Sequence, residues 1–128
     1  MSTYKPQLKY FKLWFALWLG YLAFLSYICL TPIEVANLPE IPFLDKIVHI
    51  GAYIVLAYTF AELNRSNKLI VIFCFFYGLA IELIQPYTGR FFEWADLLAN
   101  STGLIIGLCV QRKIIQILPR IDHFISPK

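Results

Sequence analysis

Apolar residues fall in four long runs, separated by short stretches rich in proline, basic and acidic residues. The first run, LWFALWLGYLAFLSYICL at 13–30, carries no charge. At ~1.5 Å of rise per residue, this run with Thr31 and Pro32 crosses a hydrocarbon core of ~30 Å, so a span is expected over 13–32. Lys5, Lys9 and Lys12 precede it, as they would precede a signal peptide. The run is long, however, and lacks a small-x-small cleavage site, so an uncleaved first span is expected. Residues 31–46 form a loop, because Pro32, Pro39 and Pro42 exclude a continuous helix.

The second span is expected over 44–63, and Asn64 to Lys68 form a polar turn. The third runs over 69–85 and stops at Pro86, with Tyr87 to Arg90 as a further loop. The fourth covers 94–111 and is closed by Arg112 and Lys113. Beyond it, Ile114, Ile117, Leu118, Ile121, Phe124 and Ile125 recur at helical spacing. This tail is either a C-terminal interfacial helix on the membrane surface or an extension of the fourth span, with Pro119 expected to kink it. The pattern predicts an all-α membrane protein, a four-transmembrane-helix bundle forming a single domain over 1–128.

Composition supports the membrane assignment. The chain is 59% hydrophobic and 15% charged, and its mean hydropathy is +0.66. A soluble domain of 128 residues cannot bury that much apolar surface, whereas lipid can cover it. Aromatics reach 17%, as expected where rings lie at headgroup level. Membrane lipids are therefore the expected partners, and nucleic acid is not. Self-association is left open. Cys29, Cys74 and Cys109 each lie in an apolar run with no CxxC, so they read as small packing residues.

Charge placement sets the expected orientation. Lys5, Lys9 and Lys12, then Arg65 and Lys68, then Arg112, Lys113, Arg120 and Lys128 all fall on one side. Only Lys46 and Arg90 fall on the other. Both termini are thus expected in the cytoplasm, with the two proline-containing loops outside. The chain reads as a multi-pass protein of the bacterial cytoplasmic membrane.

The polar residues that interrupt the spans gather toward that outer side. Asp45 and His49 are four apart, on one face at the start of the second helix. Glu82 lies deep in the third span, where a lone charge costs ~2.5–3.5 kcal/mol, and Gln85 follows on the same face. Arg90 and Glu93 precede the fourth span. Asp96, Asn100, Gly103 and Gly107 then make one stripe down it, with a GxxxG that permits close helix approach.

Asp45, His49, Glu82, Gln85, Arg90, Asp96 and Asn100 are therefore the expected substrate-binding set. His49, Glu82 and Asp96 are the catalytic candidates, since imidazole and carboxylates can act as general base and acid. Arg90 can grip a phosphate or carboxylate. No GxSxG and no glycine-rich phosphate loop is present. Neither a metal nor another cofactor is expected, although His49, Glu82 and Asp96 offer ligand types that can hold a metal.

At these residues the chain resembles the VanZ-like membrane protein family, named for a teicoplanin-resistance protein. The matching elements are Asp45-Lys46-Ile47-Val48-His49, Tyr77-Gly78 with Glu82-Leu83-Ile84-Gln85, Gly89-Arg90, and Asp96 to Gly103 with Gly107. They cover residues 45–107. The resemblance implies a small multi-helix membrane protein with an extracytoplasmic polar cluster, and the family's association with glycopeptide resistance suggests envelope chemistry. Three functions stay open at this point. The leading one binds or handles an anionic envelope lipid or glycolipid headgroup. The others are a membrane-embedded acid–base enzyme acting on a lipid-linked substrate, and a bundle in which the polar groups only lock helix positions.

Overall fold

The computed structural model describes residues 8–32, 43–63 and 66–125. The expected loop at Pro39 and Pro42, Arg65 of the polar turn, and the terminal Lys5 and Lys128 lie outside them. The described chain is helical: α1 is Leu8–Leu30, α2 Leu44–Leu63, α3 Asn67–Ile84 and α4 Trp94–Ile125. Helices α1, α2 and α3 are long and apolar enough to cross a membrane. Large apolar side chains such as Leu17, Phe24, Ile72, Phe76 and Ile105 are exposed on the outside. His49, Glu82, Gln85, Asp96, Asn100 and Gln111 are buried. Polar inside and apolar outside is the distribution that lipid selects.

The tail continues α4 through Pro119 to Ile125, so among the described residues the extension is observed and not a separate tail helix. Helix α4 carries more polar residues than the others, but Asp96, Asn100 and Gln111 point inward while Leu98, Ile105 and Val110 point out.

The tightest packing is between α2 and α4, and glycine makes it possible. A Cβ on Gly103 would collide with the Ile50 carbonyl and lie 2.8 Å from Tyr53 Cβ. One on Gly107 would lie 2.6 Å from the Ile54 carbonyl oxygen and 3.0 Å from Ala57 Cβ. The α4 backbone thus rests on the α2 backbone, the approach that small residues permit where lipid offers helices no hydrophobic drive to associate.

Helix α1 is held by aromatic packing and hydroxyl bonds. Trp18 stacks on Phe60 at 4.6 Å and lies 5.3 Å from Phe73. Tyr21 Oη donates to the Ala52 carbonyl at 2.8 Å. Tyr77 Oη donates to the Leu22 carbonyl at 3.1 Å, which leaves its oxygen to accept from Ser26 Oγ at 2.8 Å. Tyr77→Phe removes both bonds between α3 and α1. It is expected to lower stability by about 1 kcal/mol, measured by unfolding in detergent.

The turn after α3 aims the next segment back at the bundle. Pro86 is the second residue of a single 3-10 turn, Gln85–Thr88, where its missing N–H is not needed. Gly89 closes the turn in the left-handed region at φ 84°, and Arg90 N–H donates to the Gln85 carbonyl at 3.1 Å. This reversal brings Arg90 and Glu93 over the end of α3.

Candidate functional site

The start of α2, the end of α3 and the start of α4 meet at one end of the bundle, beside the end of α1. His49 is buried one turn into α2. Its Nδ1 lies 2.9 Å from Asn100 Oδ1, and its Nε2 lies 3.5 Å from Asp96 Oδ2. An amide oxygen only accepts, so Nδ1 carries the hydrogen and Nε2 turns to the carboxylate. Gly78 makes room for this arrangement. A Cβ there would lie 2.7 Å from Tyr53 Oη and 3.3 Å from Asn100 Nδ2.

Asp96 has a second partner, the Lys46 ammonium, which reaches its Oδ1 in a close ion pair. Lys46 also contacts Glu93 and lies 2.7 Å from Asp45. The ammonium is thus the hub of three carboxylates, two exposed and one buried. Asp45 itself is exposed and joins the cluster through Lys46.

Glu82 is 0% exposed, and Gln85 is 1% exposed. Glu82 Oε2 accepts the Glu93 backbone N–H at 3.4 Å, while Oε1 has no partner among the described residues. Gln85 Nε2 donates to the Cys29 carbonyl at 3.2 Å, and its Oε1 is also without a partner. Arg90 Nη1 donates to the same Cys29 carbonyl at 3.1 Å. That carbonyl is freed by the end of α1, so the last turn of α1 anchors the end of α3 and its turn.

Of the seven expected residues, His49, Asp96 and Asn100 touch directly. Glu82 offers an atom within 4.8 Å of atoms on His49 and Asp96. Gln85 and Arg90 meet on the Cys29 carbonyl, and Asp45 lies on the rim. The geometry adds Lys46 and the Cys29 carbonyl, which sequence reasoning missed, and gives Glu93 a place between Lys46 and Glu82. A signal for Lys46 was available: it is one of two cations on its side of the chain, one residue from Asp45. No pattern of side chains could have announced the Cys29 carbonyl.

The family model named VanZ/LLP1 matches residues 2–116. The chain belongs to the VanZ/LLP1 family. The match contains every polar residue of the cluster and all three helices suited to crossing a membrane. Among curated proteins and among solved structures, none matches the chain. For this VanZ/LLP1 protein, chemical meaning therefore comes from the cluster itself. It is rich in acceptors: four carboxylates, Asp45, Glu82, Glu93 and Asp96, face two permanent cations, Lys46 and Arg90.

Proposed function

We propose that this VanZ/LLP1 protein is a one-domain, four-span protein of the bacterial cytoplasmic membrane that binds an envelope-lipid headgroup at the polar end of its bundle. The observation that carries this reading is the pair of buried acceptors without donors, Glu82 Oε1 and Gln85 Oε1. Leaving such atoms unpaired costs about 1–3 kcal/mol each, more for a charge, so a purely structural lock accounts for them poorly. A headgroup bearing hydroxyl or ammonium donors supplies what they lack. A glycolipid suits this acceptor-rich end better than a bare phosphate, which would meet an excess of carboxylates and find help only from Arg90 and Lys46.

Exposed aromatics at the same end support an interfacial location. Tyr87, Phe91 and Trp94 are 89%, 86% and 70% exposed. Rings so placed suit the boundary between headgroups and hydrocarbon. The orientation follows the placement of Lys and Arg, with both termini and the turn at Asn67 in the cytoplasm. Reporter fusions at Asn67 and at the C-terminus should both report cytoplasm. An outside signal from either would overturn the orientation.

The headgroup reading is tested by thermal unfolding in detergent micelles doped with a hexosyl-diacylglycerol or with phosphatidylglycerol. The glycolipid is expected to raise the midpoint of the native chain, and to raise it less in Glu82→Gln. Equal midpoints with and without either lipid would count against binding. A second reading, a membrane-embedded acid–base enzyme, draws on the His49 geometry, in which Asn100 fixes the ring and Nε2 faces a carboxylate.

A further inference from the structure

Two groups of possible ligands lie side by side in the cluster, and only one of them holds a cation. The outer group, Asp45, Glu93 and Asp96, is filled by the Lys46 ammonium. The inner group is His49, Glu82 and Asp96, all buried, with one ligand atom from each within 4.8 Å of the others. Lys46 touches this group only at Asp96, and among the described residues no lysine or arginine ion pair reaches Glu82. We propose that His49, Glu82 and Asp96 form a binding site for a divalent transition-metal ion of the zinc class.

Four observations converge on this assignment. With Nδ1–H given to Asn100, Nε2 is the ring nitrogen that faces Asp96 Oδ2, placed to act as a ligand to an ion held beside that carboxylate. Their 3.5 Å separation is long for a charge-assisted hydrogen bond, which runs at ~2.7–2.9 Å. It is close to the ~3.4 Å kept by two ligands on one tetrahedral zinc, given bonds of ~2.0–2.1 Å. Glu82 is wholly buried and leaves Oε1 without a partner. Finally, four acidic side chains face two basic ones, Lys46 and Arg90, at this end, a composition that favours a bound cation.

The donor set also selects the ion. One imidazole with two carboxylates suits zinc or manganese, while the absence of thiolate disfavours the softest metals. Asn100 is the outer partner that fixes the ring tautomer, the task that such partners serve in metal sites. Three protein ligands leave a coordination position open, the arrangement of sites that bind water or substrate. The proposal departs from the expectation of no metal, drawn from one histidine among the spans, because three helices bring His49, Glu82 and Asp96 together. The metal reading shares the site with the headgroup reading but does not rest on it.

The test uses the full chain in detergent, stripped with a chelator and dialysed against zinc alone, with no lipid added. Cys109→Ser and His123→Ala are introduced first, to remove ligands away from the cluster. One equivalent of zinc per chain is expected, with a rise in the unfolding midpoint. Asn100→Ala should weaken binding by about 10–100-fold, and Glu82→Gln by at least as much. Substoichiometric zinc on the unsubstituted cluster would overturn the proposal, a result that needs no variant to fold. Zinc held equally by the folded Glu82→Gln and Asn100→Ala chains would overturn it too. Failure here leaves the lipid-dependent shift untouched, and failure of that shift leaves the zinc stoichiometry standing.

Discussion

Replacing Gly103 with alanine is expected to destabilise the bundle by about 1–3 kcal/mol, although alanine is the better helix former. The added Cβ has no free position. It meets the Ile50 carbonyl and the Tyr53 side chain, so α2 and α4 must separate. Gly107→Ala should do the same against Ile54 and Ala57, and the two losses should not add, because both push apart one interface. Gly20 and Gly51 provide the controls. A Cβ at either meets nothing within 4 Å, so Gly20→Ala and Gly51→Ala should be neutral or stabilising by up to about 1 kcal/mol. Thermal unfolding of the four variants in one detergent decides the matter. Equal melting of all four would mean that α4 does not rest on α2.

The second large effect is at Asp96. Asp96→Ala removes the buried partner of both Lys46 and His49. Breaking a buried ion pair from one side costs about 3–5 kcal/mol, and the lower figure is expected because Asp45 and Glu93 still hold Lys46. Asp45→Ala should cost under about 1 kcal/mol, since its carboxylate is exposed. Combining Lys46→Met with Asp96→Leu should cost less than the two single changes together, because neither charge is then left alone. Strict additivity would mean that the two groups do not interact.

These two sites show what was legible in the chain and what was not. The four helices were legible as long apolar runs, and α2 keeps the expected limits of 44–63, whereas α4 runs past its expected end at 111 through Arg112, Lys113 and Pro119. The Gly103–Gly107 stripe was legible because helical spacing fixes which residues share a face. The partner of that stripe was not, since spacing on one helix says nothing about its neighbour. Likewise Asp45 and His49 share a face by spacing, yet one is exposed and the other buried. They lie one turn apart along α2, and depth changes over that distance at the end of a bundle. Lys46 points off the expected face by sequence, but its long stem lets the ammonium reach three carboxylates across two elements. Glu82 was marked by its cost in an apolar helix. The neighbours that surround it come from a loop and two other helices, and only the fold could assemble them.

The most direct test of the headgroup claim is to weigh the protein with what it carries. The chain is purified in minimal detergent and examined by native mass spectrometry, and the retained lipids are identified by headgroup. The native chain is expected to retain one class of hydroxyl-bearing or amine-bearing envelope lipid. Glu82→Gln, which fills the same volume but replaces one carboxyl oxygen with an amide NH2, is expected to fold and to lose that lipid. A folded Glu82→Gln chain with the same retained lipids as the native one, or a native chain with none, would contradict the account.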